Sequence, residues 1–243
     1  GPSTVNTPKV LALLKQYQAH ATFFVVGSRV KEGAEVLKQE VAQGCEIGNH
    51  TWDHANLAKL SMEKVNMQYD KTADLVKKMV GYDITLLRPP YGAISEKMRK
   101  KLKHPMVLWN TDTLDWKSKN TKAIMKEIKK NVKDGGIILM HDIHGPSVDA
   151  ALRLIPDLIA QGYKLVTVSE MAAAKNVTLQ PAKYAEFWQS ALDAGYVPGY
   201  NGNGSSEDSS TDGTSDGSSD DSSNGDAVSY THLRAHETLA NLV

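Results

Sequence analysis

Short apolar segments alternate with amphipathic segments about six times between residues 7 and 168, and this alternation constrains the fold more than any other feature. Residues 21–26 show the first type, a β-branched and aromatic run that ends at Gly27, as expected of a strand buried on both faces. Residues 62–80 show the second type, with apolar side chains at helical spacing and Ser61 as the predicted N-cap. The alternation predicts a parallel α/β fold, either an open sheet or a barrel.

The same patterns give approximate bounds for each element. The predicted helices are 7–17, 31–43, 62–80, 95–103, one around 124–132 and one around 151–159. The predicted strands are 21–26, a segment leading into Gly48, 84–87, 106–109, 136–141 and 164–168. A double proline follows Arg88 and cannot continue a ladder of hydrogen bonds, so that strand ends there. The first predicted strand has no glycine-rich phosphate loop after it, which disfavours nucleotide binding.

The even balance of charge over the chain hides two unlike regions. Residues 1–200 hold 27 Lys and Arg against 20 Asp and Glu, a net charge of +7. Residues 201–243 hold one Arg against 8 acidic residues, a net charge of −7. The basic region suits polyanionic surroundings such as a cell wall or nucleic acid, or is a solvated lysine-rich surface. The single cysteine, Cys45, excludes an intrachain disulfide.

Composition divides the chain into four regions. The α/β pattern predicts a domain over 1–175, and 176–200 is a C-terminal extension that could pack on it. Residues 201–228 are rich in Gly, Ser and Asp and cannot offset ordering entropy by burial, so we expect disorder there. Residues 229–243 break from that composition and look like a translated sequencing-adapter tail, which excludes them from functional prediction.

Polar clusters follow the ends of four successive predicted strands. They are His50 with His54, Arg88 with Tyr91, Asp112 with Asp115 and Trp116, and His141. In parallel α/β folds this edge of the sheet is where functional sites are built. Two histidines four residues apart can reach one metal ion, although each cluster alone has an ordinary reading as a turn, a helix cap or a surface ion pair. The four together favour a site.

Five stretches, in order, resemble motifs of the polysaccharide deacetylases, the NodB-homology family or carbohydrate esterase family 4. They are Gly1-Pro-Ser-Thr4, His50-Thr-Trp-Asp-His54, Arg88-Pro-Pro-Tyr-Gly92, Asp112-Thr-Leu-Asp-Trp116 and Leu139-Met-His141. The resemblance covers about residues 1–172 and implies a distorted (β/α)7-type barrel whose first strand is missing from this chain. It also implies a divalent metal, zinc first, with cobalt, nickel or manganese as alternatives.

The resemblance assigns a role to each matching residue. His50 and His54 match the metal ligands, whose bound water would attack the acetamide, and His141 matches the general acid. Asp115 matches the carboxylate that keeps this histidine protonated, and Arg88 matches the residue that orients the catalytic base. The backbone N–H of Tyr91 would stabilise the oxyanion. Substrate-binding matches are Trp116, Leu139 and Pro90.

The chain departs from the family at its first motif, which reads Thr-Phe-Asp-Asp-Gly. This sequence begins at the glycine of that motif, so the aspartate base and the aspartate metal ligand are both absent. Every other motif is intact, which indicates truncation of a normal enzyme. We therefore expect the chain itself to be inactive and its parent to be active, with a membrane anchor left open in the missing N-terminal part.

Within the family, the amino-acid sequence around Asp112–Trp116 and Leu139–His144 is most similar to that of Gram-positive peptidoglycan N-acetylglucosamine deacetylases. The expected substrate is peptidoglycan or another N-acetylglucosamine polymer, and the expected location is the cell wall, secreted or membrane-anchored. Chito-oligosaccharide N-deacetylation and acetylxylan esterase activity are the enzymatic alternatives, and an inactive wall-glycan-binding module is an alternative of another class. Nucleic acid is not an expected partner, because the lysines are dispersed and aromatic residues are few.

Overall fold

A computed structural model describes residues 1–185 and the pair 239–240, and shows a mixed α/β architecture. The helices are α1 (Thr7–Gln16), α2 (Ala34–Ala42), α3 (Met62–Val80), α4 (Glu96–Lys101), α5 (Asp115–Ser118), α6 (Thr121–Asn131), α7 (Gly145–Ala160) and α8 (Val168–Ala174). The strands are β1 (Thr22–Val25), β2 (Glu46–Asn49), β3 (Met106–Val107), β4 (Thr111–Asp112), β5 (Gly136–Leu139), β6 (Tyr184–Ala185) and β7 (Leu239–Ala240). This order confirms an α/β architecture, but the predicted alternation is interrupted where α3 is followed by α4 and α7 by α8 with no strand between them.

Helix α3 shows how local sequence sets the bounds of an element. The Ser61 hydroxyl accepts a hydrogen bond from the N–H of Lys64, which satisfies a free donor of the first turn. Gly81 ends the helix in the left-handed conformation with φ 71°, where a residue without Cβ is unstrained. Val65 and Val76 face the core on one side of the helix. Both caps agree with the prediction of a long amphipathic helix over 62–80.

All described strand pairs are parallel. Strand β1 pairs with β2, and single bridges through Leu87 connect β2 to β3, which pairs with β6. Strand β5 pairs with β4 on one side and with β7 on the other. Parallel ladders bring the carboxyl ends of the strands to one edge. Among the described residues, closure of these ladders into a seven-stranded barrel is not shown.

Two predicted strands differ from the structure. The predicted strand 164–168 is wrong, because only Leu165 makes a bridge and Thr167 instead caps helix α8 through a reciprocal capping box with Glu170. The predicted strand 84–87 is reduced to the bridge at Leu87, and the prolines that follow Arg88 stop the ladder from continuing beyond it. Burial also differs between the two segments, since Ile84, Leu86 and Leu87 are buried whereas Lys164 is exposed and Leu165 and Val166 are only partly buried.

The core is made of apolar side chains from strands and from the inner faces of the helices. One cluster joins α1, α6 and α7 to the sheet, and a second lies beneath α3 and α4. Phe24 on β1 is almost fully buried and belongs to a third cluster, with Val107 and Ile137. These clusters hold the strand ends in fixed positions, which is what a site on that edge requires.

The remaining sequence regions are described only in part. Tyr184–Ala185, at the start of residues 176–200, pairs with β3, and Leu239–Ala240 pairs with β5. The predicted disordered region 201–228 lies outside the described residues, and so does most of 229–243. Within the described part of the chain, no helix is both long and apolar enough to cross a membrane.

Candidate active site

His50 and His54 lie on the loop that follows β2, and this loop forms one half of the candidate site. The His50 ring is buried, and its Nδ1 lies 2.7 Å from the carbonyl oxygen of Arg88. Donation from Nδ1 to this carbonyl leaves Nε2 with a free lone pair. Burial lowers the pKa of His50 well below its usual range, so the ring is neutral at physiological pH. A neutral imidazole with one nitrogen held in this way is a competent metal ligand.

His54 lies beside His50, with the two rings edge to face and their centroids 4.8 Å apart. Its Nδ1 is 3.3 Å from the hydroxyl of Tyr91, whose side chain is 65 % exposed. Burial, followed by the charge of the amino terminus and of His141, lowers the pKa of His54. The pair therefore presents two neutral imidazoles to the same region.

Arg88 is buried in the protein interior rather than exposed at the rim. Its Nε donates to the carbonyl of Val107 at 3.3 Å, and one terminal nitrogen donates to the carbonyl of Leu108 at 3.4 Å. The guanidinium lies 4.1 Å from the centroid of the Phe24 ring. The other terminal nitrogen, Nη1, has no hydrogen-bond partner among the described residues. Burial lowers the pKa of Arg88 to about 9, which reflects the cost of a charge that no carboxylate compensates.

Asp115 and His141 form the other half. Asp115 is fully buried, and its carboxylate accepts hydrogen bonds from the backbone N–H of His141 at 2.7 Å and from that of Trp116 at 2.8 Å. The same carboxylate lies 2.8 Å from Nδ1 of the His141 ring. Burial would raise the pKa of Asp115, but the bonds and charge of His141 outweigh it and lower the pKa. The carboxylate thus fixes Nδ1 of His141 as the protonated nitrogen and leaves Nε2 towards the site.

The remaining predicted substrate residues differ in exposure. Trp116 is 51 % exposed, whereas Leu139 and Pro90 are buried. The carbonyl of Leu139 accepts a hydrogen bond from the Thr113 hydroxyl at 2.8 Å. Trp116 is thus accessible to a ligand, while Leu139 and Pro90 are covered by the surrounding protein.

Backbone strain is found among these residues, although half of the eight described non-glycine residues with positive φ lie elsewhere in the chain. Four non-glycine residues at the strand ends have left-handed backbone angles: Thr51 (φ 67°), His54 (φ 63°), Tyr91 (φ 62°) and Leu114 (φ 51°). Such conformations cost about 1–3 kcal/mol each and persist where the surrounding structure holds them. Asn49 stabilises the left-handed conformation of Thr51, because its side-chain oxygen accepts a hydrogen bond from the N–H of Thr51 at 2.8 Å. Strain at a polar strand-end edge is typical of functional sites.

Sequence reasoning missed two residues that hold the histidine loop. Asn49 donates to the carbonyl of Tyr69 on α3, and Gln68 on the same helix bonds the loop backbone and Asp53. The available signal was the register of α3, where Gln68 falls on the buried face as a polar residue.

Metal donors in the described chain are few. Across residues 1–183, no group of three or more His, Cys, Asp or Glu side chains could hold one ion together. The site therefore offers two donors, His50 and His54, and the lowering of the His54 pKa by His141 shows that the general-acid candidate lies within electrostatic reach.

The sequence profile of the family "Polysaccharide deacetylase" matches residues 1–106. A peptidoglycan N-acetylglucosamine deacetylase of Bacillus cereus is 38% identical over 184 residues, which cover 72% of this chain and 86% of the relative. The chain belongs to the polysaccharide deacetylases. Among members of this family, the peptidoglycan N-acetylmuramic acid deacetylase PdaC of Bacillus subtilis is 43% identical over 175 residues, 72% of this chain. The match spans 38% of the length of PdaC.

Solved structures of polysaccharide deacetylases share this fold. The structure of PdaC is similar with a TM-score of 0.70 over 72% of this chain and 87% of that one. A family 4 acetyl xylan esterase of Clostridium thermocellum, in complex with a cobalt ion, has a TM-score of 0.71 and 31% identity over 76% of this chain and 94% of that one. The family includes deacetylases of different glycans, so substrate is decided by the individual site.

Proposed function

We propose that this chain is the catalytic domain of a metal-dependent hydrolase that removes N-acetyl groups from N-acetylglucosamine residues of peptidoglycan. The observation that carries the proposal is the juxtaposition of the pair formed by buried Asp115 and partly buried His141 with the neutral histidines His50 and His54. The first pair suits a proton donor and the second suits a divalent cation. Removal of an acetyl group needs both.

The residues present fit a divalent metal in part. His50 and His54 offer uncharged nitrogen donors, and the Arg88 carbonyl fixes the tautomer of His50. Zinc is the first choice for imidazole ligands, and cobalt, nickel or manganese would also suit the site. A bound cation of this kind supplies a water of lowered pKa and polarises a carbonyl. Further ligands would be water or a carboxylate that the described residues do not contain.

The chain's own residues would orient the substrate and move the proton. Nε2 of His141 would protonate the leaving amine, and the carboxylate of Asp115 would stabilise the protonated ring. The backbone N–H of Tyr91, held in a strained conformation, would donate to the developing oxyanion. Trp116 would contact the sugar or its acetyl group, with Leu139 and Pro90 behind it.

We further propose that the chain as it stands is inactive. The unpartnered nitrogen of the buried Arg88 supports this, because a cation in such a place is ordinarily matched by a carboxylate. An upstream strand ending in Thr-Phe-Asp-Asp would supply both a base beside Arg88 and a third metal ligand.

A cationic groove favours an acidic wall polymer over neutral xylan. The groove has a volume of about 590 Å³ and lies between α6 and α7; it is lined by Lys122, Met125, Lys126, Lys129, Arg153 and Asp157. Among the described residues, none of its four cations makes an ion pair. Peptidoglycan carries carboxylates that such a groove would attract. Acetylxylan and chito-oligosaccharides remain the alternative substrates.

The test is acetate release from purified peptidoglycan, with and without a chelator, by this chain and by a chain extended at its amino terminus with a strand ending in Thr-Phe-Asp-Asp. We expect chelator-sensitive release only by the extended form, and no release from acetylxylan. Release by the chain as it stands would contradict its proposed inactivity. A lack of release from peptidoglycan by both forms would contradict the proposed substrate.

A further inference from the structure

Gln68 is a buried polar residue on the face of α3 that packs against the histidine loop, residues 50–54. Its side chain is only 8 % exposed, although its neighbours on this face of the helix are the apolar Val65 and the buried Thr72. A buried amide is costly unless its donors and acceptor are satisfied. The hydrogen-bond partners of the Gln68 side chain therefore indicate its structural role.

Among the described residues, the hydrogen-bond partners of this amide are Trp52 and Asp53 in the histidine loop. The Gln68 Oε1 accepts a hydrogen bond from the backbone N–H of Trp52 at 2.8 Å and a longer one from that of Asp53 at 3.4 Å. Its Nε2 donates to the carboxylate of Asp53 at 2.9 Å. One side chain thus bonds two consecutive backbone groups and one side chain of the segment between His50 and His54.

The opposite side of the loop is held by the turn after β1. The N–H of Gly27 donates to the carbonyl of Thr51 at 2.9 Å, and the N–H of Ser28 donates to the carbonyl of Trp52 at 2.8 Å. A Cβ at Gly27 would lie 2.6 Å from the Trp52 ring, so only glycine allows this close approach. The loop carbonyls are bound on one side and its N–H groups on the other.

The loop needs such support because its backbone is strained. Thr51 and His54 both have left-handed backbone angles, which are unfavourable for residues other than glycine. His50 precedes the first strained residue and His54 is the second, so relaxation of either angle would move the two rings apart. Asn49 restrains Thr51, but among the described residues Gln68 is the side chain that bonds the backbone of Trp52 and Asp53.

We propose that Gln68 is a positioning residue that holds the histidine loop in the conformation in which His50 and His54 can bind one divalent cation. This inference rests on the proposed function, since it concerns the proposed metal ligands. Gln68 does not touch the metal or substrate. Its amide acts through the backbone of residues 52 and 53 and so sets the separation of the two rings. Outer-shell partners of this kind typically change metal affinity 10–100-fold.

The test compares three variants of this chain with the wild type. Gln68→Met keeps the length of the side chain but removes its hydrogen bonds. Gln68→Glu combined with Asp53→Asn restores them with donor and acceptor exchanged, because the introduced carboxylate can accept from the new amide and from both backbone N–H groups. Val76→Ala lies two turns along α3, destabilises the core by truncation and leaves the loop contacts unchanged. It is the control for stability alone.

Two measurements apply to each protein. The dissociation constant for Co²⁺ is taken from an NMR titration that follows the imidazole signals, which suits a weak site. Amide hydrogen exchange of Trp52 and Asp53 is measured without metal. We expect Gln68→Met to weaken Co²⁺ binding about 10–100-fold and to accelerate both exchange rates, and the double variant to recover both properties. We expect Val76→Ala to unfold more easily but to bind Co²⁺ like the wild type.

Two results would overturn the inference. One is wild-type Co²⁺ affinity in Gln68→Met, and the other is an equal loss of affinity in Val76→Ala, which would make the effect one of stability. A wild type that binds no Co²⁺ at these histidines would instead contradict the proposed function. In that case unchanged exchange at Trp52 and Asp53 in Gln68→Met would also refute the loop-holding role, and faster exchange would support it.

Discussion

Asp115 and Arg88 are both buried charged residues of the candidate site, yet their surroundings are opposite. The carboxylate of Asp115 accepts three hydrogen bonds and faces His141, and its pKa is lowered below the usual range despite burial. The guanidinium of Arg88 faces carbonyl oxygens and an aromatic ring, and one of its nitrogens has no partner in the described chain. One charge is stabilised by the fold and the other is not.

The difference separates the two halves of the site. The half on β4 and β5 holds its proton donor and its carboxylate within the described chain, so its geometry is self-supporting. The half on β2 and the Arg88 turn has two histidines and a buried cation, and its Asp53 carboxylate accepts a hydrogen bond from Gln68. Among the described residues, no third donor completes a metal-binding group with the two histidines. A buried cation is retained at a cost in stability when something else requires it. We therefore expect substitutions at these two residues to have opposite effects on stability.

The largest expected effect is the loss of Asp115. Asp115→Ala removes the acceptor of two buried backbone N–H groups and of the His141 ring, which should lower the free energy of unfolding by about 3–5 kcal/mol. Urea unfolding at neutral pH, followed by circular dichroism, measures the change. Asp157→Ala, at an exposed position on α7, is the control and should change stability by less than about 0.5 kcal/mol. A loss below about 1 kcal/mol in Asp115→Ala would show that the pair does not stabilise this half.

Arg88→Met should change the free energy of unfolding in the opposite direction, that is, raise it. The substitution removes an uncompensated buried charge and keeps most of the packing against Phe24, so we expect a gain of about 1–2 kcal/mol in this chain. The same urea experiment measures it, with Arg153→Met on the exposed face of α7 as control. In a chain extended at its amino terminus by a strand ending in Thr-Phe-Asp-Asp, Arg88→Met should instead destabilise, because a carboxylate would lose its partner. If Arg88→Met lowered the free energy of unfolding in both chains, the proposed difference between the Asp115 half and the Arg88 half of the site would be contradicted.

Sequence reasoning located the strand-end residues but not their depth or their support. His50, His54, Asp115 and His141 follow local apolar runs, and the ends of parallel strands share one edge, so their proximity could be predicted. The burial of Arg88 depends on Phe24 and Val107, which are remote in sequence, and the partners of Gln68 lie 15 and 16 residues away. The predicted strand 164–168 failed for a different, local reason: the reciprocal bonds between Thr167 and Glu170, three residues apart, favour a helix start over a ladder.

The pH dependence of stability sharpens the contrast further. The pKa of Asp115 is lower in the folded protein than the value of about 3.9 in an unfolded chain, so its contribution is present above that value and is lost as the pH falls through the folded pKa. The stability difference between wild type and Asp115→Asn should therefore be constant near neutral pH and shrink below about pH 4. Urea unfolding of both proteins between neutral and acidic pH gives this difference. A difference that grows on acidification would reverse the assigned direction.

The smallest expected effect concerns the backbone that carries Asp115. Leu114 has φ 51° and is held by Asp112, whose carboxylate accepts from the Leu114 N–H at 2.9 Å. Leu114→Gly would relieve about 1 kcal/mol of strain, but glycine adds a similar entropy cost, so we expect a change within about 0.5 kcal/mol. Gly81→Ala is the reciprocal control: its Cβ would meet open space at φ 71°, so strain alone should cost about 1 kcal/mol.

The two variants together test whether the Asp115 half depends on its strained turn. If Leu114→Gly left stability unchanged and Gly81→Ala lowered it, the Leu114 position would need only a left-handed backbone conformation. Glycine could then replace the leucine without loss. A loss of more than about 1 kcal/mol in Leu114→Gly would mean that the leucine side chain, only 37 % exposed, helps to keep Asp115 beneath His141. The self-supporting half would then rely on packing at the rim as well as on its buried hydrogen bonds.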